Sequence, residues 1–261
     1  MPELPDLEVF KKNIFTRLTS KQLVSISVFN QKKVNKAQDL LRNELTELEL
    51  LSINRVGKEL LFEFTKNRLV SAHLMLNGEV SIVKPDDIAG IMYKIFSFNF
   101  ENETVVFSDK GGLCTIRYMP IFDNIPDAFD STFTLEYFFS IASKKPKVNI
   151  KAFLIDQNVV KGIGNAYADE ILWFARISPR SQVGKIPENV MVILYNAINT
   201  VLKEAINSIK LISPDIISGE KRSFLKVHNR TRKETETGFP IIIEKIASKT
   251  TYFTEEQVVY L

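Results

Sequence analysis

Near the middle of this chain the hydrophobic period passes from that of strands to that of helices, and that change implies two differently built parts. Over residues 23–118 the apolar residues fall in short β-rich runs, at 60–64, 79–83, 94–100 and 104–107. Turn formers separate them: Gly57, Asn77-Gly78, Glu101-Asn102 and Gly111-Gly112. Residues 119–131 are rich in Pro, Asp and Asn, and beyond them the period becomes helical.

Helices are predicted over 134–142, 148–156, 165–175 and 187–209, the last opening on Pro187 with a stripe of Val190, Ile193, Leu194, Ile198, Val201 and Leu202. At the amino end Leu7, Phe10, Ile14 and Leu18 recur at helical spacing, which predicts an amphipathic helix over 6–19. Residues 213–239 are polar and basic, and 241–246 with 250–253 read as a terminal hairpin. The fold class is therefore α+β: an N-terminal helix with an antiparallel β-sandwich, then a helical part, then a β-hairpin. We divide the chain into 1–125, 131–220 and 221–261.

Composition narrows the chemistry. With 261 residues, 45% of them apolar and 25% charged, the chain has ample core material and is not of disordered type. It contains no stretch of roughly 20 apolar residues and no signal-peptide pattern at Met1-Pro2-Glu3-Leu4, so no membrane partner and a cytoplasmic location are expected. One cysteine, Cys114, and two histidines, His73 and His228, exclude an internal disulfide and argue against a protein-only zinc site, so no cofactor is expected. A net charge of +3 permits nucleic-acid binding without demanding it.

Two motifs carry chemistry. Once Met1 is trimmed, Pro2 presents a secondary amine with a pKa near ~8, against ~10.4 for lysine, so a neutral nucleophilic fraction exists at neutral pH. Such an amine condenses with an aldehydic carbon to an iminium, an electron sink, and Glu3 beside it is placed to move protons. Trimming alone also explains a Met-Pro-Glu start. The second motif is Lys161-Gly162-Ile163-Gly164-Asn165-Ala166-Tyr167-Ala168-Asp169-Glu170, with Asn165 as the expected N-cap of the following helix. Amides at that helix start suit a DNA phosphate, to which Lys151 could add charge. A plain helix-turn-helix corner whose glycines serve packing explains the same spacing.

Taken together, Pro2-Glu3-Leu4-Pro5-Asp6-Leu7-Glu8, Val56-Gly57-Lys58, His73-Leu74-Met75-Leu76-Asn77-Gly78 and the segment from Asp156-Gln157 to Glu170 resemble, in order and spacing, the formamidopyrimidine-DNA glycosylase and endonuclease VIII family. The resemblance implies a monomeric base-excision glycosylase with lyase activity acting on double-stranded DNA that carries a damaged base or an abasic site. Its helical part would be the helix-two-turn-helix element, with DNA in the cleft between the domains. It makes Pro2 the Schiff-base nucleophile, Glu3 the acid and Lys58 a catalytic lysine at the phosphate beside the lesion. Lys151 and Asn165 match the phosphate clamp, and Leu76 the wedge that fills the gap left by a flipped nucleotide. His73 flanks that wedge as a DNA contact or an interior histidine. A damaged-DNA binder without turnover is the rival reading, and it leaves Pro2, Glu3 and Lys58 unexplained.

The chain departs from the family pattern in three places. The loop at Asp109-Lys110-Gly111-Gly112 lacks the Arg and Phe of many members and looks shortened. Residues 212–224 are short where 8-oxoguanine specialists carry a long loop, which favours ring-opened purines or oxidised pyrimidines. Thr235, Thr237, Thr254 and Gln257 stand roughly where the family has four zinc cysteines, so a zincless finger is expected, with Lys249 near the place of its phosphate-binding arginine.

Overall fold

The computed structural model describes residues 1–261, which form two compact units. The first comprises residues 1–2, 6–123 and 213–220, the second residues 3–5, 124–212 and 221–261. Helix α1 (Leu4–Leu18) sends Leu7, Phe10, Ile14 and Leu18 into the first core, as the spacing predicts.

Eight strands build the first unit: β1 (Leu23–Val28), β2 (Leu50–Val56), β3 (Glu59–Phe64), β4 (Arg68–His73), β5 (Gly78–Val83), β6 (Lys94–Phe100), β7 (Thr104–Asp109) and β8 (Thr115–Tyr118). They pair antiparallel in two four-stranded sheets, ordered β1-β6-β7-β5 and β2-β3-β4-β8. The sheets share a phenylalanine core. Phe62 of β3 lies 5.1 Å from Phe98 of β6 and 5.8 Å, edge-on, from Phe107 of β7, so alternate residues of both sheets face inward. Helix α2 (Gln38–Leu45) was not anticipated; it is eight residues long, buries only Leu41 and Leu45, and has no capping side chain to announce it.

Residues 213–220, assigned above to the helical part, pack instead with the sandwich. Asn13 Nδ2 donates to the carbonyls of Pro214 (2.7 Å) and Ile216 (2.8 Å), the Val80 amide donates to Ser218 Oγ (3.0 Å), and Ile216 and Ile217 lie on the apolar core.

The second unit holds α3 (Leu135–Lys144), α4 (Ile150–Ile155), α5 (Asn165–Phe174), α6 (Glu188–Ile212) and the hairpin of β9 (Ile242–Ile246) and β10 (Lys249–Phe253). Thr134 caps α3 by accepting the Tyr137 amide, and Asn149 caps α4 by accepting those of Lys151 and Ala152. Along α6 the buried stripe runs Met191, Leu194, Ile198, Val201, Leu202, Ala205 and Ile209; Ile193, counted in the stripe above, is half exposed because it lies about 100° around the helix from Leu194. No helix is long and apolar enough to cross a membrane.

Candidate active site

The start of α5 is the chemical centre of the second unit. Glu3 is buried there, and its carboxylate accepts the amides of Gly164 (2.8 Å), Ala166 (2.9 Å) and Tyr167 (3.3 Å). These are the amides expected above to hold a phosphate, so the helix start binds an anion, but the anion is the protein's own side chain. The two glycines follow from this arrangement. Gly162 has φ +98°, and a Cβ on it would lie 2.7 Å from Leu4 Cδ1; a Cβ on Gly164 would lie 2.4 Å from Glu3 Cδ. Gly164, not Asn165, holds the cap position. Asn165 instead turns its Nδ2 to the Thr250 carbonyl (2.9 Å), which leaves one hydrogen of that amide for another acceptor.

Lys151 also differs from expectation. Its ammonium is buried, pairs with Asp169 Oδ1 (2.7 Å) and donates to Thr251 Oγ1 (2.6 Å). Burial draws its pKa down, against the opposing pull of Asp169 and Glu3, and Lys249 adds to the lowering. A phosphate cannot reach a fully enclosed ammonium, so in this arrangement Lys151 fastens β10 to α4 and α5 rather than clamping DNA. Asp169 extends the fastening, since its Oδ2 meets His228 Nδ1 (2.7 Å) and the Tyr252 amide (3.0 Å). Next to it Glu170 accepts the amides of Lys226, Val227 and His228 at 2.7–2.9 Å, and burial raises its carboxyl above the usual range. Lys249 is exposed at the tip of this hairpin.

In the first unit, Val56 pairs with Glu59, so Gly57 and Lys58 form a two-residue turn, with Gly57 at φ +58°. The turn is braced from below. Arg55, its side chain 3% exposed, donates Nη1 to the Gly57 carbonyl and Nε to Glu8 of α1, both at 2.8 Å. Sequence reasoning gave no role to Arg55, which lies just before the Val56-Gly57-Lys58 segment, or to Glu8, which ends the first one.

His73 closes β4 opposite Glu59 and accepts the Met75 amide at Nδ1 (3.0 Å). Burial holds its pKa below the usual imidazole range, and Lys58 and Arg117 lower it further while Glu59 opposes them. It therefore serves, uncharged, to fold the loop that carries Leu76. Leu76 is exposed, beside Met75 at φ +55°.

Gly78 pairs with Asp109, so the 109–114 loop lies at the same end of the sheet. The Asp109 carboxylate accepts the amides of Gly111, Leu113 and Cys114 at 2.6–2.7 Å and fixes that loop, which presents a second exposed leucine, Leu113. Leu113 is neither the Arg nor the Phe that marks this loop in many family members, so the sequence does not single it out. Pro2 is buried, and the Met1 amine pairs with Glu220. With Met1 attached, the Pro2 nitrogen is an amide and not a nucleophile.

The family model for the formamidopyrimidine-DNA glycosylase N-terminal domain matches residues 1–115, and that for the formamidopyrimidine-DNA glycosylase H2TH domain matches residues 125–214. The formamidopyrimidine-DNA glycosylase of Lactococcus lactis subsp. lactis is 31% identical over 97% of both chains. The chain belongs to this family.

A second member, from Lactobacillus johnsonii, is 32% identical over 76% of this chain and 75% of its own. Crystal structures of the Lactococcus lactis enzyme share the fold. One, with DNA containing an oxidised pyrimidine, gives a TM-score of 0.86 at 25% identity over 97% of this chain and 98% of that one; another, a mutant with Fapy-dG-containing DNA, gives 0.85 at 26% over the same shares. As a family member the protein is a DNA glycosylase of base excision repair. It differs at the finger. The residues standing where zinc cysteines would be expected, Thr235, Thr237, Thr254 and Gln257, are neutral and do not suit zinc, and no cluster of His, Cys, Asp or Glu is arranged to hold a metal.

Proposed function

We propose that this protein is a bifunctional glycosylase and abasic-site lyase that works through a Schiff base at Pro2. The observation that carries the reading is the grip on Glu3. Three amides hold its carboxylate, and because Glu3 is bonded to Pro2, that grip restricts where the Pro2 nitrogen can lie. A residue needed only for trimming would require no such anchorage.

After Met1 is removed, the Pro2 nitrogen attacks C1′ of the damaged nucleotide and the base leaves with its bonding electrons and a proton. Glu3, a carboxylate in the resting protein, takes the proton that the Pro2 nitrogen loses on attack and returns it to the ring oxygen as the sugar opens, while the departing base takes its proton from solvent. The resulting iminium acidifies the 2′ hydrogen; its loss expels the 3′ phosphate, a second elimination expels the 5′ phosphate, and water releases the amine. Lys58, on its braced turn, contacts the phosphate beside the lesion, and Leu76 fills the gap left by the flipped nucleotide. Asn165 offers its remaining amide hydrogen, and Lys249 its charge, to the backbone. Lys151 holds the hairpin in register with Asn165. The short 212–224 segment favours ring-opened purines or oxidised pyrimidines over 8-oxoguanine, in keeping with the lesions in the Lactococcus lactis complexes.

Borohydride should trap a covalent complex with abasic-site DNA when Met1 has been removed. Undiminished trapping by a form that retains Met1 would overturn the assignment of Pro2. Glu3→Gln should lower excision of an intact lesion by about 10²-fold or more, with a smaller loss on a preformed abasic site. Lys58→Ala should weaken excision and keep some lyase activity. Lys249→Ala should reduce the slope of log affinity against log salt by about 0.9.

A further inference from the structure

Three of the four finger positions that cannot hold zinc are joined through one carboxylate, and the fourth is bonded to the backbone of Thr254. Glu256 Oε2 accepts from Thr237 Oγ1 (2.9 Å), Thr254 Oγ1 (3.1 Å) and Trp173 Nε1 (3.2 Å), and its Oε1 meets Arg176 Nη1 at 2.5 Å. Thr235 joins the network through Thr237, their hydroxyls 2.8 Å apart. Gln257 closes it: its Oε1 accepts the Thr254 amide, and its Nε2 donates to the Ile177 carbonyl, both at 2.8 Å. Thr235, Thr254 and Gln257 are buried, and the Glu256 side chain is 9% exposed. Two chain segments, one before β9 and one after β10, are thereby tied to each other and to the end of α5. A structural zinc makes the same connection between two ligand pairs.

We propose that Glu256 replaces the zinc ion, acting as a positioning residue that closes the finger and holds the β9–β10 hairpin. Its anionic oxygens gather four donors on both sides of the hairpin, as a cation would gather thiolates, with the polarity reversed. Burial pushes the Glu256 carboxyl up, but the three hydrogen bonds from Thr237, Trp173 and Thr254 outweigh it and hold the group below the usual range, with the Arg176 charge adding to the lowering. The consequence for DNA, that Glu256 sets the position of Lys249, rests on the function proposed above; the closure itself does not.

The test uses the full chain and hydrogen exchange at the amides of residues 242–253. Glu256→Ala should speed exchange there by roughly tenfold or more, and Glu256→Gln, which keeps one acceptor oxygen, by less. Exchange within the sandwich strands should stay at the parent rate, which separates local loosening from failure to fold. A second chain combines Glu256→Ala with Thr235→Cys, Thr237→Cys, Thr254→Cys and Gln257→Cys. It should bind one zinc ion per molecule and recover slow hairpin exchange only when zinc is added. Parent-like exchange in Glu256→Ala would overturn the proposal, as would a cysteine chain that takes no zinc or takes it without recovering protection. Affinity for a duplex carrying an abasic-site analogue tests the further step: Glu256→Ala and Lys249→Ala should weaken it less than additively when combined. Full additivity there would sever the hairpin from Lys249 and leave the closure standing on the exchange and zinc results.

Discussion

Gly164 shows how one missing atom sets the chemistry. Its backbone is extended and would accept any residue, so what excludes a side chain is the Glu3 carboxylate, 2.4 Å from where a Cβ would stand. Gly164→Ala should therefore expel that carboxylate, cost about 1–3 kcal/mol in stability and abolish most excision. Retained excision at the parent rate would show that Glu3 needs no anchorage. His73 has a comparable local duty. Its folded-state pKa is lowered, so its contribution to stability is complete above the free imidazole value of about 6.5 and is lost as pH falls through the folded value beneath it. In an NMR titration its ring should protonate below the free value, and the Met75 amide should shift with it, since protonation removes the acceptor at Nδ1. A Met75 amide indifferent to that titration would argue that the loop stands without the histidine.

At the scale of elements, the hairpin turn stands out. Ile246 pairs with Lys249, and the two residues between them, Ala247 and Ser248, both take positive φ, +50° and +62°. That is the left-handed geometry for which Asn-Gly is preferred. Replacing Ala247-Ser248 by Asn-Gly should stabilise the hairpin by about 1 kcal/mol, read as slower exchange of its cross-strand amides. The same turn marks the limit of what the sequence discloses. Strands β3, β5, β6 and β7 lie within two residues of their predicted ends because alternation and Gly or Asn punctuation agree there. At Ala247-Ser248 no turn signal exists, and the hairpin was legible only from the flanking apolar runs. Successive residues of a strand face opposite sides, yet Tyr252 and Phe253 are both buried: Tyr252 joins Trp173, Val227 and Ile241, and Phe253 lies beneath the Arg180 guanidinium at 4.9 Å. Pro2, Glu3, Lys58 and Leu76 could be picked out from motifs. Arg55 and Glu256 could not, and Glu8 and Asp169, though inside the motifs, carried no assigned role, because what singles each of them out is a partner distant in the sequence.

On the scale of the whole molecule, each unit has its own apolar core, and neither contains a disulfide or a thiolate cage. The only sulfhydryl, Cys114, is completely buried in the sandwich core, and burial together with the Asp109 carboxylate pushes its pKa up to about 12, against a small opposing effect of Lys33. Thiol reagents and peroxide attack the thiolate, so the native protein offers them almost nothing. Modification should occur only from molecules whose sandwich has opened, and native labelling by a disulfide reagent should run at least about 10³-fold slower than in denaturant. Rapid labelling of the folded protein would contradict the burial. A DNA glycosylase of base excision repair meets the agents that damage bases, and the one cysteine of this chain offers them no exposed sulfur. Its single thiol acts instead as an internal clock, counting how often the sandwich opens.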